Sequence, residues 1–232
     1  MIDFHSHFLP NIDDGSSSVE ESIAMLRASY EYGVDVICAT PHFRPQKESP
    51  ASFLKRRDEA LSKLPKDLDG VPRILLGAEV YYFDGISRSE SVKDLRLQGT
   101  DYILIEMPFA RWSENVVRDV CSIKSRLHLT PYLAHIERYL KYQKGTNYIE
   151  TIIDSGALIQ SNAEFFLGLG TSHKAMKMLK NDEIHILGSD THNMGARRPD
   201  LGPARERIEK KLGHEVLDRI DSVGREIIRN AL

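Results

Sequence analysis

Cysteine is almost missing from this chain: Cys38 and Cys121 are the only two in 232 residues. Both lie in apolar contexts, Val-Ile-Cys-Ala and Asp-Val-Cys-Ser-Ile. That excludes a disulfide framework and fits a reducing compartment. Long hydrophobic runs are missing too. None approaches the ~20 residues of a membrane helix, so membrane insertion is not expected. The N-terminus reads Met-Ile-Asp-Phe-His, without the basic run and apolar stretch of a signal peptide, and a cytoplasmic location is the expectation. Neither sign of charge dominates: 31 Lys and Arg stand against 34 Asp and Glu, a net −3. No block of like charge marks a nucleic-acid arm or a membrane patch. Glycine-rich phosphate loops of the G-x-G-x-x-G or P-loop type do not occur.

The 232 residues are 41% hydrophobic, enough for a substantial core. They suit one α/β domain or two very small ones. No repeat, low-complexity segment or linker divides them, so a single domain over 1–232 is expected.

Seven short apolar runs read as strands: Ile2–Phe4, Val34–Ala39, Arg73–Ala78, Tyr102–Ile105, Pro131–Ala134, Ala157–Gln160 and Ile184–Gly188. Their near-continuous apolarity is that of parallel strands covered on both faces. Helical patterns lie between them. In the first, Ser17 and Ser18 with Glu20 and Glu21 offer overlapping capping boxes. Val19, Ile23, Leu26 and Tyr30 follow at helical spacing, and Gly33 is placed to end the helix. Further helices are expected near Ala51–Leu64, Asn115–Leu127, Thr146–Asp154, Ser172–Leu179 and Ala204–Asn230. Gly213 and Gly224 give the last stretch places to divide in two. Alternating strands and helices imply parallel βαβ units, as an open sheet or a closed barrel.

The polar residues favour the barrel. Every strand runs into a residue able to bind metal or phosphate. The first leads to His5-Ser6-His7, with Asp13 and Asp14 beyond, and the second to Thr40-Pro41-His42. Glu79 and Glu106 end the third and fourth. His135 ends the fifth, with Glu137 and Arg138 just after it. Asn162 and Glu164 follow the sixth, and Asp190-Thr191-His192 the seventh. In a (β/α) barrel these ends converge on one rim, where active sites are built. An H-x-H on a strand places both rings on one face, and Asp190-Thr191-His192 repeats that geometry.

A lone buried histidine is usually a hydrogen-bonded core residue, and a lone Asp after a strand is usually a helix cap. His128, His173, His185 and His214 have no such company and read as surface or core residues. The set His5, His7, His42, Glu79, Glu106, His135, Asp190 and His192 reads collectively as metal ligands. Imidazole and carboxylate without thiolate suit Mn2+, Fe2+, Zn2+ or Mg2+. About eight or nine ligands are too many for one ion at four to six coordination, so two or three ions are expected. Such ions lower the pKa of bound water and supply hydroxide for hydrolysis.

A rival pattern is present. Cys38-Ala39-Thr40-Pro41-His42-Phe43-Arg44 is a literal C-x5-R, the signature of cysteine-dependent tyrosine phosphatases. That chemistry needs a thiolate cradled by successive backbone N–H groups at a helix N-terminus. Here Pro41 removes one N–H, no glycine lets the loop curl, and Cys38 lies inside an apolar strand.

Taken in order, seven stretches resemble the PHP (polymerase and histidinol phosphatase) family. They are Ile2-Asp3-Phe4-His5-Ser6-His7, Asp13-Asp14-Gly15, Ala39-Thr40-Pro41-His42, Gly77-Ala78-Glu79, Ile105-Glu106-Met107-Pro108, Ala134-His135-Ile136-Glu137-Arg138-Tyr139 and Gly188-Ser189-Asp190-Thr191-His192-Asn193. Asp-Asp-Gly and His-x-Glu-Arg-Tyr narrow the likeness to bacterial PHP-type protein-tyrosine phosphatases of capsular and exopolysaccharide operons. The resemblance implies a distorted seven-stranded TIM-like barrel and a cluster of up to three ions, often manganese. By motif it implies His5, His7, Asp14, His42, Glu79, Glu106, His135, Asp190 and His192 as ligands. It also implies Arg138 as a holder of the substrate phosphate, with a second arginine after the Asp-x-His motif. Spacing from Asp190 favours Arg197 for that part, and the Arg-Pro pairing favours Arg198. The implied substrate is phosphotyrosine on a bacterial tyrosine kinase, on its C-terminal tail, that controls polysaccharide synthesis. A PHP phosphatase of a small metabolite such as histidinol phosphate is the alternative. A PHP nuclease lacks support, since no basic surface is apparent. A module that only binds metal is the non-enzymatic reading, against which the complete ligand set argues. Phe109 and Trp112 are read either as an aromatic wall at the substrate entrance or as loop packing.

Overall fold

The computed structural model of the chain describes residues 1–231. The first strand is β1 (Ile2–Ser6). The second is broken into β2 (Val36–Ala39) and β3 (His42–Phe43), and the third into β4 (Arg73–Leu76) and β5 (Glu79–Tyr81). β6 (Tyr102–Glu106), β7 (Thr130–Leu133), β8 (Leu158–Asn162) and β9 (Ile186–Gly188) complete the set. Every pairing is parallel and follows chain order. The curled sheet then returns to its start. Ser6 bridges Thr191, the Asp190 N–H donates to the His5 carbonyl at 2.7 Å, and the His7 N–H donates to the Thr191 carbonyl at 2.9 Å. The fold is therefore the seven-stranded, TIM-like α/β barrel expected.

Two strands depart from the reading as single runs. Proline has no N–H for a ladder, and the second strand breaks at Thr40-Pro41. The third breaks opposite it, at Gly77-Ala78. Pairing still continues across both breaks: Gly77 N–H donates to the Ala39 carbonyl at 2.8 Å, and Glu79 N–H to the Pro41 carbonyl at 3.0 Å. Each broken strand thereby gains a second short segment, and these segments begin with His42 and Glu79.

Helices wrap the outside: α1 (Val19–Glu31), α2 (Pro50–Ser62), α3 (Glu114–Cys121), α4 (Ile123–Leu127), α5 (Tyr148–Asp154), α6 (Ala163–Leu167), α7 (Ser172–Lys180), α8 (Leu201–Leu212) and α9 (His214–Ile228). Ser18 caps α1 by accepting the Glu21 N–H at 3.1 Å, while the Glu21 carboxylate reaches back to the Ser17 N–H at 2.8 Å. The capping box is thus shared between two serines. The expected helix 115–127 divides at Ser122. The C-terminal stretch divides at Gly213, with φ +88°, and not at Gly224. Gly224 sits inside α9 for a packing reason: a Cβ there would lie 3.1 Å from the Phe4 ring. Its bare backbone lets α9 press on the barrel. The short α6 and a few 3-10 turns, including Ile136–Arg138, escaped the periodicity because one turn carries no repeat to detect. No helix among the described residues is long and apolar enough to cross a membrane.

The apolar residues form two cores. One lies between helices and sheet, around Ile37, Phe53, Ile105 and Ile159. The other lines the barrel, where Phe4, Cys38, Leu104, Tyr132 and Ile186 meet Ile227 and Ile228 of α9. Cys38 is completely buried in that lining, and burial pushes its thiol pKa well up. Its pattern partner Arg44 lies instead over the Tyr81 ring, 5.8 Å from the centroid. The C-x5-R stretch is therefore a strand with a core thiol. Cys38 is expected to resist a thiol reagent until the protein unfolds, read by mass spectrometry of the labelled native protein. Prompt labelling of Cys38 in the folded state would revive the cysteine mechanism.

Candidate metal centre

The site begins with an irregularity in β1. Asp3 pairs with Ile37 and Ser6 with Ala39, so three steps on β1 face two on β2. One extra residue is a β-bulge, and it flips the phase of alternation. Phe4 can thus line the barrel while its neighbour His5 also turns into the mouth. Glu106 needs no such device, because it lies two residues after Leu104 on the same face. At the ends of β7 and β9 the backbone bends sharply. His135 has φ +32° and Asp190 φ +53°, left-handed conformations that cost a non-glycine residue strain. Both bends aim a side chain at the centre.

Three groups of ligating atoms result. Each holds its atoms within 4.8 Å of one another: His7, Asp14, His42 and His192; His5, His7 and Asp190; His42, Glu79 and Glu106. The groups share His7 and His42. His5 Nε2 and His7 Nε2 are 3.0 Å apart. Glu79 is central, with Oε2 2.7 Å from His42 Nδ1 and Oε1 2.9 Å from His135 Nε2. His135, outside the three groups, joins them through this contact and lies 3.8 Å from Glu106 Oε1. All nine residues named from the sequence therefore converge on one mouth.

A surrounding shell orients the rings. His5 Nδ1 faces Gln160 Oε1 at 3.1 Å, His7 Nδ1 faces Asp13 Oδ2 at 2.8 Å, and His192 Nδ1 faces the Asp190 carbonyl at 2.9 Å. An acceptor opposite Nδ1 places the ring proton there and leaves the Nε2 lone pair toward the centre. Gln160 also accepts the His135 N–H at 2.7 Å, so one amide braces two ligands from different strands. Sequence reading passed over Gln160. Its signal was a polar residue at an inward position of an apolar strand, two places before Asn162.

Four buried acceptor atoms in the mouth make no well-aligned hydrogen bond, Glu79 Oε2 included despite its close contact with His42 Nδ1: the others are Glu106 Oε2, Asp190 Oδ1 and His192 Nε2. Unpartnered acceptors are costly in a protein interior, and a cation satisfies them together. The donor set of imidazole nitrogen and carboxylate oxygen fits divalent ions. Burial opposes charge on Glu79, but His5, His135 and His42 outweigh it and hold the carboxyl well below its usual range. Burial and the charge of Glu79 push Glu106 up to about 7. Burial pulls His192 down to about 3, aided by His7. His7 and His42 go the other way despite burial: Asp13 lifts His7 to about 9, and Asp14 with Glu79 lifts His42 to about 11. Protons on these rings balance the carboxylates, and a bound ion takes over that balance when the rings ligate as neutral imidazoles.

Two arginines converge on the outer oxygen of Asp190. Arg138 Nη2 donates to Oδ2 at 2.8 Å and Arg197 Nη2 lies 2.7 Å from it, while Asn162 Nδ2 donates at 2.8 Å. Arg138 stands on the Ile136–Arg138 turn, whose half-buried Glu137 accepts from Ser161 Oγ at 3.1 Å and from the Asn162 N–H. Arg198 is exposed and makes no ion pair among the described residues. The two aromatics also part company. Phe109 is 42% exposed and stacks on the His135 ring at 5.7 Å. Trp112 is buried behind it, with its Nε1–H on the Pro108 carbonyl at 3.0 Å. His128 ends α4, His185 Nδ1 accepts the Ile159 N–H, and His214 pairs with Glu209 on the surface, all away from the centre.

A family model described as capsular polysaccharide synthesis, CpsB/CapC, matches residues 1–228. The chain belongs to the CpsB/CapC family. Relatives within it include tyrosine-protein phosphatase CpsB of Streptococcus pneumoniae, 34% identical over 231 residues, covering 92% of this chain and 91% of that protein. Tyrosine-protein phosphatase YwqE of Bacillus subtilis is 30% identical over 239 residues, covering 99% and 92%. Among solved structures, one from work on Bacillus subtilis YwqE and Streptococcus pneumoniae CpsB, described as unique metal-dependent tyrosine phosphatases, matches with a TM-score of 0.85. It is 26% identical and covers 99% of this chain and 95% of that one. The Lactococcus lactis histidinol phosphate phosphatase, solved with zinc, L-histidinol and phosphate, shares the fold at a TM-score of 0.55 and 12% identity. It covers 90% and 92%.

One glycine in this CpsB/CapC member controls how closely the last strand meets the first. A Cβ on Gly188 would stand 2.6 Å from His5 Cβ and 2.9 Å from Gln160 Nε2. Gly188→Ala is therefore expected to displace His5 and weaken divalent-metal binding at least about tenfold, the scale seen when a ligand loses its bracing. Titration calorimetry on folded protein checks this, and unchanged affinity would refute the packing argument.

Proposed function

We propose that this chain is a metal-dependent protein-tyrosine phosphatase, hydrolysing phosphotyrosine by a metal-activated water within one domain. The observation that carries the reading is the meeting, at Asp190, of a carboxylate-imidazole cluster and two guanidinium groups. His5, His7, Asp14, His42, Glu79, Glu106, His135, Asp190 and His192 would hold two or three divalent ions, Mn2+ by preference, with Fe2+, Zn2+ or Mg2+ compatible with the same donors. When bound, the ions supply Lewis-acid charge and lower the pKa of water so that hydroxide is available at working pH.

The chain's own groups do the rest. Arg138 and Arg197 bind phosphoryl oxygens, for which the planar guanidinium fork is suited. Asp190, itself steadied by Asn162 Nδ2, holds them ready, and the phosphoryl group takes the place of Asp190 Oδ2 as their partner. Phe109 offers an exposed face to the tyrosine ring at the rim. Phenolate, with a pKa of about 10, is a good enough leaving group to depart without a dedicated acid. An alkyl phosphate such as histidinol phosphate needs that acid more. The partner fits a phosphorylated tail of a bacterial tyrosine kinase in capsule or exopolysaccharide synthesis, in the cytoplasm.

The purified protein is expected to hydrolyse a phosphotyrosine peptide, to lose activity to a chelator and to recover it with Mn2+, while histidinol phosphate turns over poorly. Activity that survives chelation would sink the metal reading, and preference for histidinol phosphate would move the chain to the metabolite branch. Arg138→Ala is expected to lower kcat by about 100-fold or more, the scale of a lost oxyanion donor. Metal content, read by atomic emission, should stay constant. Loss of metal would reassign Arg138 to support of the cluster.

A further inference from the structure

At the edge of the metal centre lies a cavity of about 380 Å3 whose lining includes Asp14 and His42. The lining also includes Arg44, Lys47, Glu48 and Arg56. The charges in it are unevenly partnered. Arg56 is spent: its Nε donates to Glu48 Oε2 at 3.1 Å and its Nη1 to the Ile12 carbonyl at 2.9 Å. Asp13, also in the lining, accepts from His7 and from the His42 N–H at 2.9 Å. Asp14 lies 3.2 Å from His42 Nε2. Every acid of the cavity therefore has a partner.

The remaining cations do not. Arg44 and Lys47 make no ion pair among the described residues. Arg44 is held over the Tyr81 ring, and a turn in which the Lys47 N–H donates to the Arg44 carbonyl at 2.9 Å sets Lys47 beside it. Stacking on an aromatic face orients a guanidinium without consuming its donors. Two cations without a carboxylate partner therefore line a cavity whose wall includes Asp14 and His42 of the metal centre.

Resting on the phosphatase reading above, we propose that this cavity is a substrate subsite for an oxyanion flanking the phosphotyrosine. That group is an Asp or Glu carboxylate or a second phosphoryl group on the same chain, and Arg44 and Lys47 set the preference for it. Neither residue takes part in the hydrolysis, so the gain falls on KM and leaves kcat alone.

The test uses the Mn2+-loaded enzyme and one peptide backbone carrying a phosphotyrosine, with Ala, Glu or a second phosphotyrosine at the flanking positions. p-Nitrophenyl phosphate, too small to reach the cavity, reports the centre alone. We expect kcat/KM to rise about fivefold to tenfold from the Ala to the Glu peptide, the size of one or two partly exposed ion pairs. A gain with Glu assigns the cavity to oxyanions in general, and a gain with the second phosphotyrosine alone assigns it to phosphate. Arg44→Ala/Lys47→Ala should erase the preference and keep p-nitrophenyl phosphate turnover. Lys47→Glu, a change on the surface that folding tolerates, should shift preference toward a Lys-flanked peptide. Equal kcat/KM on all peptides with the wild-type enzyme, or an undiminished preference in the double variant, would overturn the subsite while leaving the phosphatase reading intact. Turnover of p-nitrophenyl phosphate but of no peptide would overturn both.

Discussion

Glu79, Glu106 and Asp190 are three carboxylates buried in one barrel mouth. Like charges at that depth repel strongly, and the low local dielectric magnifies the repulsion. Histidines from the first, second, fifth and seventh strand ends surround them, and two arginines cap the outer oxygen of Asp190. The rest of the mouth follows from this need for compensating positive charge. Protons on His7 and His42 can meet it, or divalent ions can. Ions meet it better, because each satisfies several orphaned oxygens at once.

Holding the carboxylates there places demands on the barrel. Its lower half is lined by Phe4, Leu104, Tyr132 and Ile186 and sealed by α9, so the strands are anchored by ordinary apolar packing. Only above that plug do the inward positions turn polar. The changeover is managed by local departures from regular strand geometry: a bulge in β1, breaks at Pro41 and Gly77, and left-handed turns at His135 and Asp190. Each is disfavoured in isolation, and each aims one ligand. The packed lower barrel supplies the stability that lets this strain persist.

The bracing residues explain why the site keeps its shape. Gln160 ties β8 to His5 and His135, and Asp13 ties the loop after β1 to His7 and to the backbone of His42. Gly188 allows β9 to approach β1 closely enough for the sheet to close. None of these three is itself among the ligating groups, yet a change in any of them moves a ring. The CpsB/CapC relatives share this chain's length almost end to end.

Much of this was legible in the chain itself. Near-continuous apolar runs, each followed by His, Asp, Glu or Asn, mark strands and their functional ends because strand position and side-chain direction are local properties. The rim chemistry and the nine converging residues could be named on that basis together with the motif likeness. Other features were decided only in three dimensions. Spacing and pairing pulled the second arginine toward different residues. Folding sets Arg197 on Asp190 and leaves Arg198 in solvent, because loop direction depends on what the loop packs against. Gly224 looked like a helix break, and contact with Phe4 makes it a helix packing point. Gln160 looked like the end of a strand, and its partners lie on two other strands, far away in sequence. Local sequence determines which residues face the mouth. Which residues orient one another there is determined by barrel closure, because those contacts join segments that only the folded chain brings together.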